Sequence, residues 1–240
     1  MEYRFRILRF DPSTGEGPRF RDFLCEADGK TSVLEALTAI REEQDGTLAF
    51  RHSCREAVCG SCAMAINGRA ELACRTLLGS VGDRTLVLEP LPSFDVRKDL
   101  VVDLEPFFEA YRKIEPFIEP GAPPEKGYRI GGREMDRITP FINCILCGCC
   151  HAACPVVSRD GRYPGPAALA KLYRFVADPR DRRPFDRWSA VNTETGAWGC
   201  DTVFRCNEVC PRDVRPADGI SALRRKLIAG MIRKVLRLKR

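Results

Sequence analysis

Short runs of alternating apolar and polar residues fill the first hundred positions of the chain. Tyr3, Phe5 and Ile7 alternate with Arg4 and Arg6, which predicts a strand with one buried face. Further apolar runs predict strands over residues 20–24, 63–66 and 85–88. This part of the chain is therefore expected to be rich in β-structure.

Turn and cap signals connect these strands. Ser32-Val33-Leu34-Glu35 has the form of a capping box, and Leu37 and Ile40 continue its apolar face at helical spacing. Asn67-Gly68 is a strong hairpin signal. Two hairpins and one helix are typical of a small β-grasp-like sheet, and we assign it to a first domain over residues 1–104.

From about residue 103 the apolar residues recur at helical spacing. The pattern predicts a helix from Asp103 to Ile114, then a proline-rich loop, a helix from Ala167 to Ala177, and a last helix beginning near Pro216. Its apolar face is expected to comprise Leu223, Leu227, Met231 and Val235. The sequence thus predicts an α+β chain whose second domain, residues 105–240, is mostly α-helical.

Composition agrees with a globular chain of two small domains. The 240 residues are 44% hydrophobic and 30% charged, and we find neither a signal peptide nor an apolar stretch approaching 18 residues. Part of the net charge of +6 gathers near the end of the chain, at Arg224, Arg225, Lys226, Arg233, Lys234, Arg237, Lys239 and Arg240. This basic end suits an anionic membrane surface or an acidic partner, or is only a solvated helix face.

Thirteen cysteines carry the chemistry, and the first group lies in the β-rich part. Cys54, Cys59, Cys62 and Cys74 have the spacing C-x4-C-x2-C-x11-C, close to that of plant-type [2Fe–2S] ferredoxins. Gly60 lies inside the turn, where it lets the backbone approach the sulfurs. A structural zinc site also uses four cysteines and is the alternative, although zinc ribbons usually divide their ligands between two opposed knuckles.

The helical part holds two further cysteine runs. The first has the bacterial ferredoxin pattern C-x2-C-x2-C-x3-C-P, and the second ends in C-x3-C-P. In two-cluster ferredoxins the last cysteine of each run ligates the other cluster. This rule assigns one [4Fe–4S] cluster to Cys144, Cys147, Cys150 and Cys210, and leaves Cys154, Cys200 and Cys206 for the other cluster.

The latter set has three thiolates, and Val203 stands where a complete run would have its fourth cysteine. Valine cannot ligate iron, so we expect a [3Fe–4S] cluster. A [4Fe–4S] cluster whose fourth iron takes water or another side chain is the alternative. Cys149 is out of register and is interpreted as a non-ligand, while His151 either tunes a cluster or is an ordinary loop histidine.

These motifs resemble one known family. Arg51–Met64 closely resembles the [2Fe–2S] loop of succinate dehydrogenase iron–sulfur subunits, and Arg97–Asp103 is similar to the family's interdomain stretch. Cys144–Cys150 and Phe204–Pro211 continue the resemblance, which spans nearly the whole chain. It implies a β-grasp plant-type ferredoxin domain followed by a mostly α-helical, bacterial-ferredoxin-like domain.

The resemblance also implies a role and partners. In this family of succinate dehydrogenases and fumarate reductases, a separate flavoprotein with FAD performs the carbon chemistry. The iron–sulfur subunit passes single electrons through [2Fe–2S], [4Fe–4S] and [3Fe–4S] clusters to a membrane-anchor cytochrome b subunit with haem b and quinone. We therefore expect a peripheral protein on the cytoplasmic side of the bacterial inner membrane, with no dinucleotide or nucleic acid of its own.

The resemblance has one departure near the three-thiolate set. Many family members have a tryptophan shortly after the first C-P and a histidine after the first cysteine of the second run, and both line a quinone pocket. Here Val156–Arg159 contains no tryptophan, and Asp201 follows Cys200. We therefore expect quinone to bind elsewhere in the membrane subunit, as in the branch of the family with a single di-haem anchor.

Two alternative functions remain open at this point. Related iron–sulfur subunits serve thiol-linked fumarate reductases, some of which carry extra cysteine-rich domains that this sequence lacks. A zinc-binding interaction or nucleic-acid module belongs to a different class of protein. Such a module would be redox-silent and would normally interleave basic and aromatic residues on one face, whereas many of the basic residues here gather at one end.

Overall fold

The computed structural model describes residues 1–183, 187 and 190–238, with side chains described as far as residue 232. It contains two compact units, which are Met1–Leu104 with Ile145–Ala153 and Glu105–Cys144 with Cys154–Arg240. The sequence had assigned all of residues 105–240 to the second domain. The structure instead groups Ile145–Ala153 with the first unit, because this segment packs against the loop at Gly60.

A mixed five-stranded sheet forms the body of the first unit. Its strands follow the order β2-β1-β5-β3-β4, in which β1 and β5 are parallel and the other neighbours are antiparallel. The strands are β1 (Glu2–Arg9), β2 (Arg19–Glu26), β3 (Ala63–Ile66), β4 (Arg69–Leu72) and β5 (Thr85–Glu89), and the helix α1 spans Val33–Glu43. This arrangement confirms the predicted β-grasp sheet.

Local sequence signals explain how the sheet and helix form. Tyr3, Phe5 and Ile7 are buried, as the alternation in β1 predicts. At the start of α1, the Ser32 hydroxyl accepts a hydrogen bond from the backbone N–H of Glu35 at 3.2 Å, and the Glu35 carboxylate accepts the Ser32 N–H at 2.7 Å. The predicted capping box is therefore present and fixes where the helix begins.

The Asn67-Gly68 turn joins β3 to β4, as predicted. Both residues have positive φ, 49° and 76°, which is the backbone form that a tight hairpin of this kind requires. The side-chain oxygen of Asn67 also accepts the backbone N–H of Val87 at 2.7 Å. The turn is thus tied to β5 as well as to its own hairpin.

A buried carboxylate, Asp99, secures the end of the first unit. A short antiparallel pair, β6 (Val96–Lys98) and β7 (Val101–Val102), brackets it, and Asp99 is 1% exposed. It accepts hydrogen bonds from the side chain of Arg9 at 2.9 Å and from the backbone N–H groups of Phe10 at 2.9 Å and Ala49 at 2.8 Å. One side chain thus satisfies donors from two separate parts of the chain.

Helices make up much of the remaining structure. They are α2 (Glu105–Lys113), α3 (Gly132–Ile142), α4 (Cys149–Ala152), α5 (Pro155–Arg159), α6 (Gly165–Val176), α7 (Arg205–Glu208) and α8 (Pro216–Leu238). The structure confirms α2, α6 and α8 in outline. It adds α3, which the sequence pattern did not predict and which contains Pro140.

The core of the second unit forms where α6 packs against α8. Leu169, Leu172 and Leu223 are fully buried there, and Leu227 is 5% exposed. Met231 is 45% exposed, so the predicted apolar face of α8 was wrong at that position. The reason is that α8 runs on for more than two turns after Leu227, and the side chain of Met231 is not covered within the unit.

The basic end of the chain lies mostly outside the described side chains. Arg233, Lys234 and Arg237, with Val235, have only their backbones described, and Lys239 and Arg240 are outside the described residues. Of the helices that the structure describes, none has both the length and the apolar character needed to cross a membrane.

Asp99 gives a prediction about stability. We expect Asp99→Ala to lower the free energy of unfolding by about 3 kcal/mol, because it leaves the Nε–H of the partly buried Arg9 and two backbone N–H groups without their acceptor. Asp103→Ala is the matched control. Its partner Arg97 is 65% exposed, so this pair is expected to contribute under about 1 kcal/mol. Urea unfolding of both variants, compared with the parent chain, measures the difference, and equal losses would contradict the role of Asp99.

Candidate iron–sulfur cluster sites

Backbone N–H groups of the first cysteine loop point at its sulfur atoms. The Sγ of Cys54 accepts N–H groups from Glu56 at 3.4 Å, Val58 at 3.3 Å and Cys59 at 3.2 Å. The Sγ of Cys74 accepts the N–H of Ala57 at 3.3 Å. Such donors stabilise thiolates and help to set the potential of a bound cluster.

Left-handed backbone makes this convergence of N–H groups possible. Arg55, Ala57 and Gly60 have φ values of 60°, 55° and 74°. A loop that repeatedly enters this region curls, so that successive N–H groups face the same concavity. Arg55 and Ala57 are not glycines, so the loop stores strain of the kind that is found at functional sites.

The cysteines of this loop differ in environment. Cys62, beside the start of β3, is 4% exposed, and burial raises its pKa to about 12. Cys59 is exposed. Its partial desolvation raises the pKa of the thiol, but hydrogen bonds with Ser61 and Cys54 have the larger combined effect and bring the pKa down to about 6. Cys59 and Cys62 must both be thiolates to bind iron. Because the buried surroundings of Cys62 disfavour its thiolate, bound iron must stabilise that charge.

Gly60 also marks the contact between two cysteine segments of the first unit. A Cβ added at Gly60 would lie 2.9 Å from both Cα and Cβ of Cys147 and 3.0 Å from the carbonyl oxygen of Ile145. No real side chain tolerates such distances to backbone. The glycine therefore lets the [2Fe–2S] loop and the first ferredoxin run pack backbone to backbone.

The first ferredoxin run is anchored within the same unit. Gly148, with φ of 83°, precedes α4, and a Cβ there would lie 3.3 Å from the ring of Phe94. Cys149 is fully buried, and its hydrogen bond lowers the pKa of Cys147. His151 stacks on Phe94 at 4.8 Å, and burial lowers its pKa to about 4, so it is neutral at pH 7.

The predicted [4Fe–4S] ligands fall in both units. Cys147 and Cys150 belong to the first unit, and Cys144 and Cys210 belong to the second. The Sγ of Cys210 accepts the backbone N–H of Val214 at 3.3 Å, a contact of the same kind as those in the first loop. Their joint ligation of one cluster stays a prediction.

The three-thiolate set lies together in the second unit. Cys154, Cys200 and Cys206 line one pocket, and Val203 lines it as well. Cys154 immediately precedes α5, Cys200 follows a 3-10 turn at Ala197–Gly199, and Cys206 lies in α7. The side chain that replaces the fourth cysteine thus belongs to the same pocket.

Burial disfavours free thiolates in this pocket. Burial, together with the neighbouring Cys200 and Cys154, raises the pKa of Cys206 to about 12. Burial likewise raises the pKa of Cys154. The backbone N–H of Thr202 donates to the Sγ of Cys200 at 3.4 Å. A cationic iron centre would relieve both the desolvation and the mutual repulsion of the sulfurs.

Arg224 of α8 holds the loop that contains Cys200. Its guanidinium donates to the carbonyl oxygens of Ala197 at 2.8 Å, Trp198 at 3.0 Å and Cys200 at 2.5 Å, and to the hydroxyl of Thr202 at 3.1 Å. The sequence grouped Arg224 with the basic end of the chain. Nothing in the linear pattern signalled that it fixes a cluster loop, because the contact spans more than twenty residues.

The donor chemistry of the sites fits iron–sulfur clusters. Sulfur atoms accept backbone N–H groups in the first loop, at Cys200 and at Cys210. Within the described part of the chain, no three histidine, cysteine or acidic side chains are arranged as ligands of a single metal ion.

The β-grasp sheet, its cysteine loop and the helical unit define this chain as an iron–sulfur protein with ferredoxin-type domains. Residues 4–109 match the model of a 2Fe-2S iron-sulfur cluster binding domain, and residues 141–214 match that of a 4Fe-4S dicluster domain. The succinate dehydrogenase iron-sulfur subunit of Paracoccus denitrificans is 37% identical over 229 residues, covering 94% of this chain and 88% of that protein.

Other relatives agree with this match. The fumarate reductase iron-sulfur subunit of Haemophilus influenzae is 36% identical over 228 residues, covering 90% of this chain and 89% of that protein. A chain of the Mycobacterium smegmatis Sdh1 complex in the apo form superposes with a TM-score of 0.86 and 28% identity, covering 94% of this chain and 95% of that chain. The chain belongs to the family of succinate dehydrogenase and fumarate reductase iron–sulfur subunits, which are part of the complex II oxidoreductases.

The contact at Gly60 gives a second prediction. Gly60→Ala should lower the free energy of unfolding more than Gly68→Ala does. Both glycines have positive φ, 74° and 76°, so alanine costs about 1–2 kcal/mol at each. A Cβ at Gly68 meets no atom within 4 Å, whereas at Gly60 it overlaps the backbone of Cys147. Denaturation with the absorbance of the [2Fe–2S] cluster as signal compares the two, and equal effects would show that the contact is unimportant.

Arg224 gives a third prediction. Arg224→Ala should lower the occupancy of the predicted three-iron cluster to less than half, because the loop with Cys200 loses four hydrogen bonds. Arg225→Ala is the matched control, since Arg225 is the adjacent exposed arginine and its loss changes the net charge equally. Electron paramagnetic resonance measures occupancy when the spin count of the oxidised three-iron signal is divided by that of the [2Fe–2S] signal in a matched reduced sample. Full occupancy in Arg224→Ala, or an equal loss in Arg225→Ala, would contradict the proposed clamp.

Proposed function

We propose that this chain is the electron-transfer subunit of a succinate:quinone oxidoreductase. It would pass electrons one at a time between the FAD of a flavoprotein subunit and quinone or haem b in a membrane anchor. The observation that carries the proposal is the identity of 36–37% to succinate dehydrogenase and fumarate reductase iron–sulfur subunits over nearly the whole chain, with all three cysteine sets in place.

The ligand assignment is part of this proposal. We assign Cys54, Cys59, Cys62 and Cys74 to a [2Fe–2S] cluster, Cys144, Cys147, Cys150 and Cys210 to a [4Fe–4S] cluster, and Cys154, Cys200 and Cys206 to a [3Fe–4S] cluster. When bound, these clusters supply reversible one-electron redox chemistry. The chain itself contributes thiolates, N–H donors and burial, which together set the potentials.

The geometry of the first unit supports an ordered route. The backbone of the [2Fe–2S] loop touches the backbone of Cys147 at Gly60. Electron tunnelling weakens steeply with distance, so this contact favours transfer between the first two clusters. In the second unit, Val203 lines the pocket of the three cysteines and cannot ligate iron, which supports a three-iron cluster at the last position.

The surroundings of that pocket support a quinone site elsewhere. Asp201, which follows Cys200, pairs with Arg159 at 3.0 Å, and both side chains are exposed. An exposed ion pair is a poor lining for an apolar quinone. We therefore propose that the quinone binds within the membrane-anchor cytochrome b subunit. This chain would attach through that anchor, on the cytoplasmic side of the bacterial inner membrane.

The proposal is tested on the complex purified without oxygen. Electron paramagnetic resonance should detect an oxidised three-iron signal in the isolated sample. Adding succinate should remove that signal and produce the signal of a reduced [2Fe–2S] cluster. An oxidised sample without signal, together with zinc in place of iron by metal analysis, would sink the proposal in favour of an interaction module.

Val203→Cys makes the same test specific to the cluster type. The new thiol would complete the ferredoxin run, so the oxidised three-iron signal should disappear while the iron content rises by one atom per chain. Val203→Ala is the control, because it also shortens the side chain but supplies no ligand, and its signal should persist. Retention of the three-iron signal in Val203→Cys would argue against the assignment of Cys154, Cys200 and Cys206.

A further inference from the structure

A tyrosine hydroxyl is buried in the pocket of the three cysteines. Tyr163 is 4% exposed, and it lines the pocket together with Cys154, Cys200 and Cys206. Among the described residues, its hydroxyl makes no hydrogen bond of ordinary geometry, and the side chain that faces it as a looser partner is that of Cys200. A buried hydroxyl without an acceptor destabilises a fold, because it has lost its water and gained nothing in return.

Packing of the Tyr163 ring does not explain why this position has a hydroxyl group. The residue stands just before Pro164 and Gly165, where the chain enters α6, and its ring is part of the apolar core of the second unit. Phenylalanine would fill the same space without a polar atom. The hydroxyl is therefore accounted for by a charged sulfur acceptor in the pocket, which forms when the cysteines bind a group there.

The polar surroundings identify the chemistry of that acceptor. A phenol is protonated at neutral pH, and the pocket surrounds this one with the side chains of Cys154, Cys200 and Cys206. It therefore gains most by donating its hydrogen to negatively charged sulfur. The acidic Asp201, which also lines the pocket, is paired with Arg159. Cluster and thiolate sulfurs are the remaining acceptors of the right charge.

We propose that Tyr163 donates a hydrogen bond to the sulfur face of the three-thiolate cluster and raises its reduction potential. This inference rests on the proposed function, because it needs a cluster held by Cys154, Cys200 and Cys206. The physical reason is that reduction adds negative charge to the cluster. A donor therefore stabilises the reduced form more than the oxidised form.

The test is Tyr163→Phe in the purified complex. The three-iron cluster should still assemble, with an unchanged spin count, because the ring that packs the pocket is retained. Its equilibrium constant for one-electron reduction should fall about tenfold, a lowering of the midpoint potential by about 59 mV. Redox titration of the oxidised-state signal measures this shift.

Tyr173→Phe is the matched control. Tyr173 lies on α6, the helix that begins just after Tyr163; it is also buried and packs its ring against Phe141, but it is absent from the described lining of the pocket. Removal of the Tyr173 hydroxyl should leave the midpoint potential of the three-iron cluster unchanged. An unchanged potential in Tyr163→Phe, or an equal shift in both variants, would overturn the inference while leaving the proposed function intact.

A measurement on the complex without substitutions tests the same hydrogen bond independently of the Tyr163→Phe variant. Tyrosine labelled with oxygen-17 in its hydroxyl should show hyperfine coupling to the oxidised three-iron cluster in pulsed electron–nuclear double resonance. Tyr163 is the tyrosine in the described lining of the pocket, and so the source of that coupling. Absence of coupling in a sample with a full three-iron signal overturns the inference. Absence of the three-iron signal itself overturns the proposed function.

Discussion

The contact between the [2Fe–2S] loop and the segment Ile145–Ala153 is the constraint on which the proposed electron route depends. A protein that passes electrons along several clusters needs short distances between neighbouring clusters, and two backbones in direct contact separate them least. At Gly60 the two backbones touch without an intervening side chain. The same contact draws Ile145–Ala153 into the first unit, so the division of the chain is a consequence of how closely its cysteine segments must lie.

Sulfur ligands impose a second requirement, which the chain meets in two different ways. The exposed first loop uses strained backbone to aim N–H groups at Cys54 and Cys74. The buried pocket of the second unit relies instead on apolar surroundings, which hold Cys206 protonated until iron arrives. In the first loop hydrogen bonds lower the pKa of Cys59, whereas burial raises the pKa of Cys62 there and of Cys206 in the second unit. Each site therefore has at least one cysteine whose ionisation depends on the metal.

Sequence reasoning succeeded where the physics is local. Alternation in β1, the capping box at Ser32 and the Asn67-Gly68 turn each involve neighbours within a few residues, and all three were predicted. Cysteine spacing led to the family because cluster ligation restricts loop lengths. The sequence did not reveal the buried Asp99, the role of Arg224 or the exposure of Met231. Each depends on which distant part of the chain lies opposite, and no short pattern records that.

The clamp made by Arg224 has a consequence for biosynthesis. The loop with Cys200 leaves the ribosome before α8 does, yet its carbonyl groups are satisfied by an arginine of that later helix. The pocket therefore cannot adopt its final form while the chain is still being made up to that point. Iron delivered earlier would meet three cysteines on an unsupported loop. Cellular iron donors would accordingly act after α8 has been synthesised, and docking of α8 would be the step that closes the pocket around the metal.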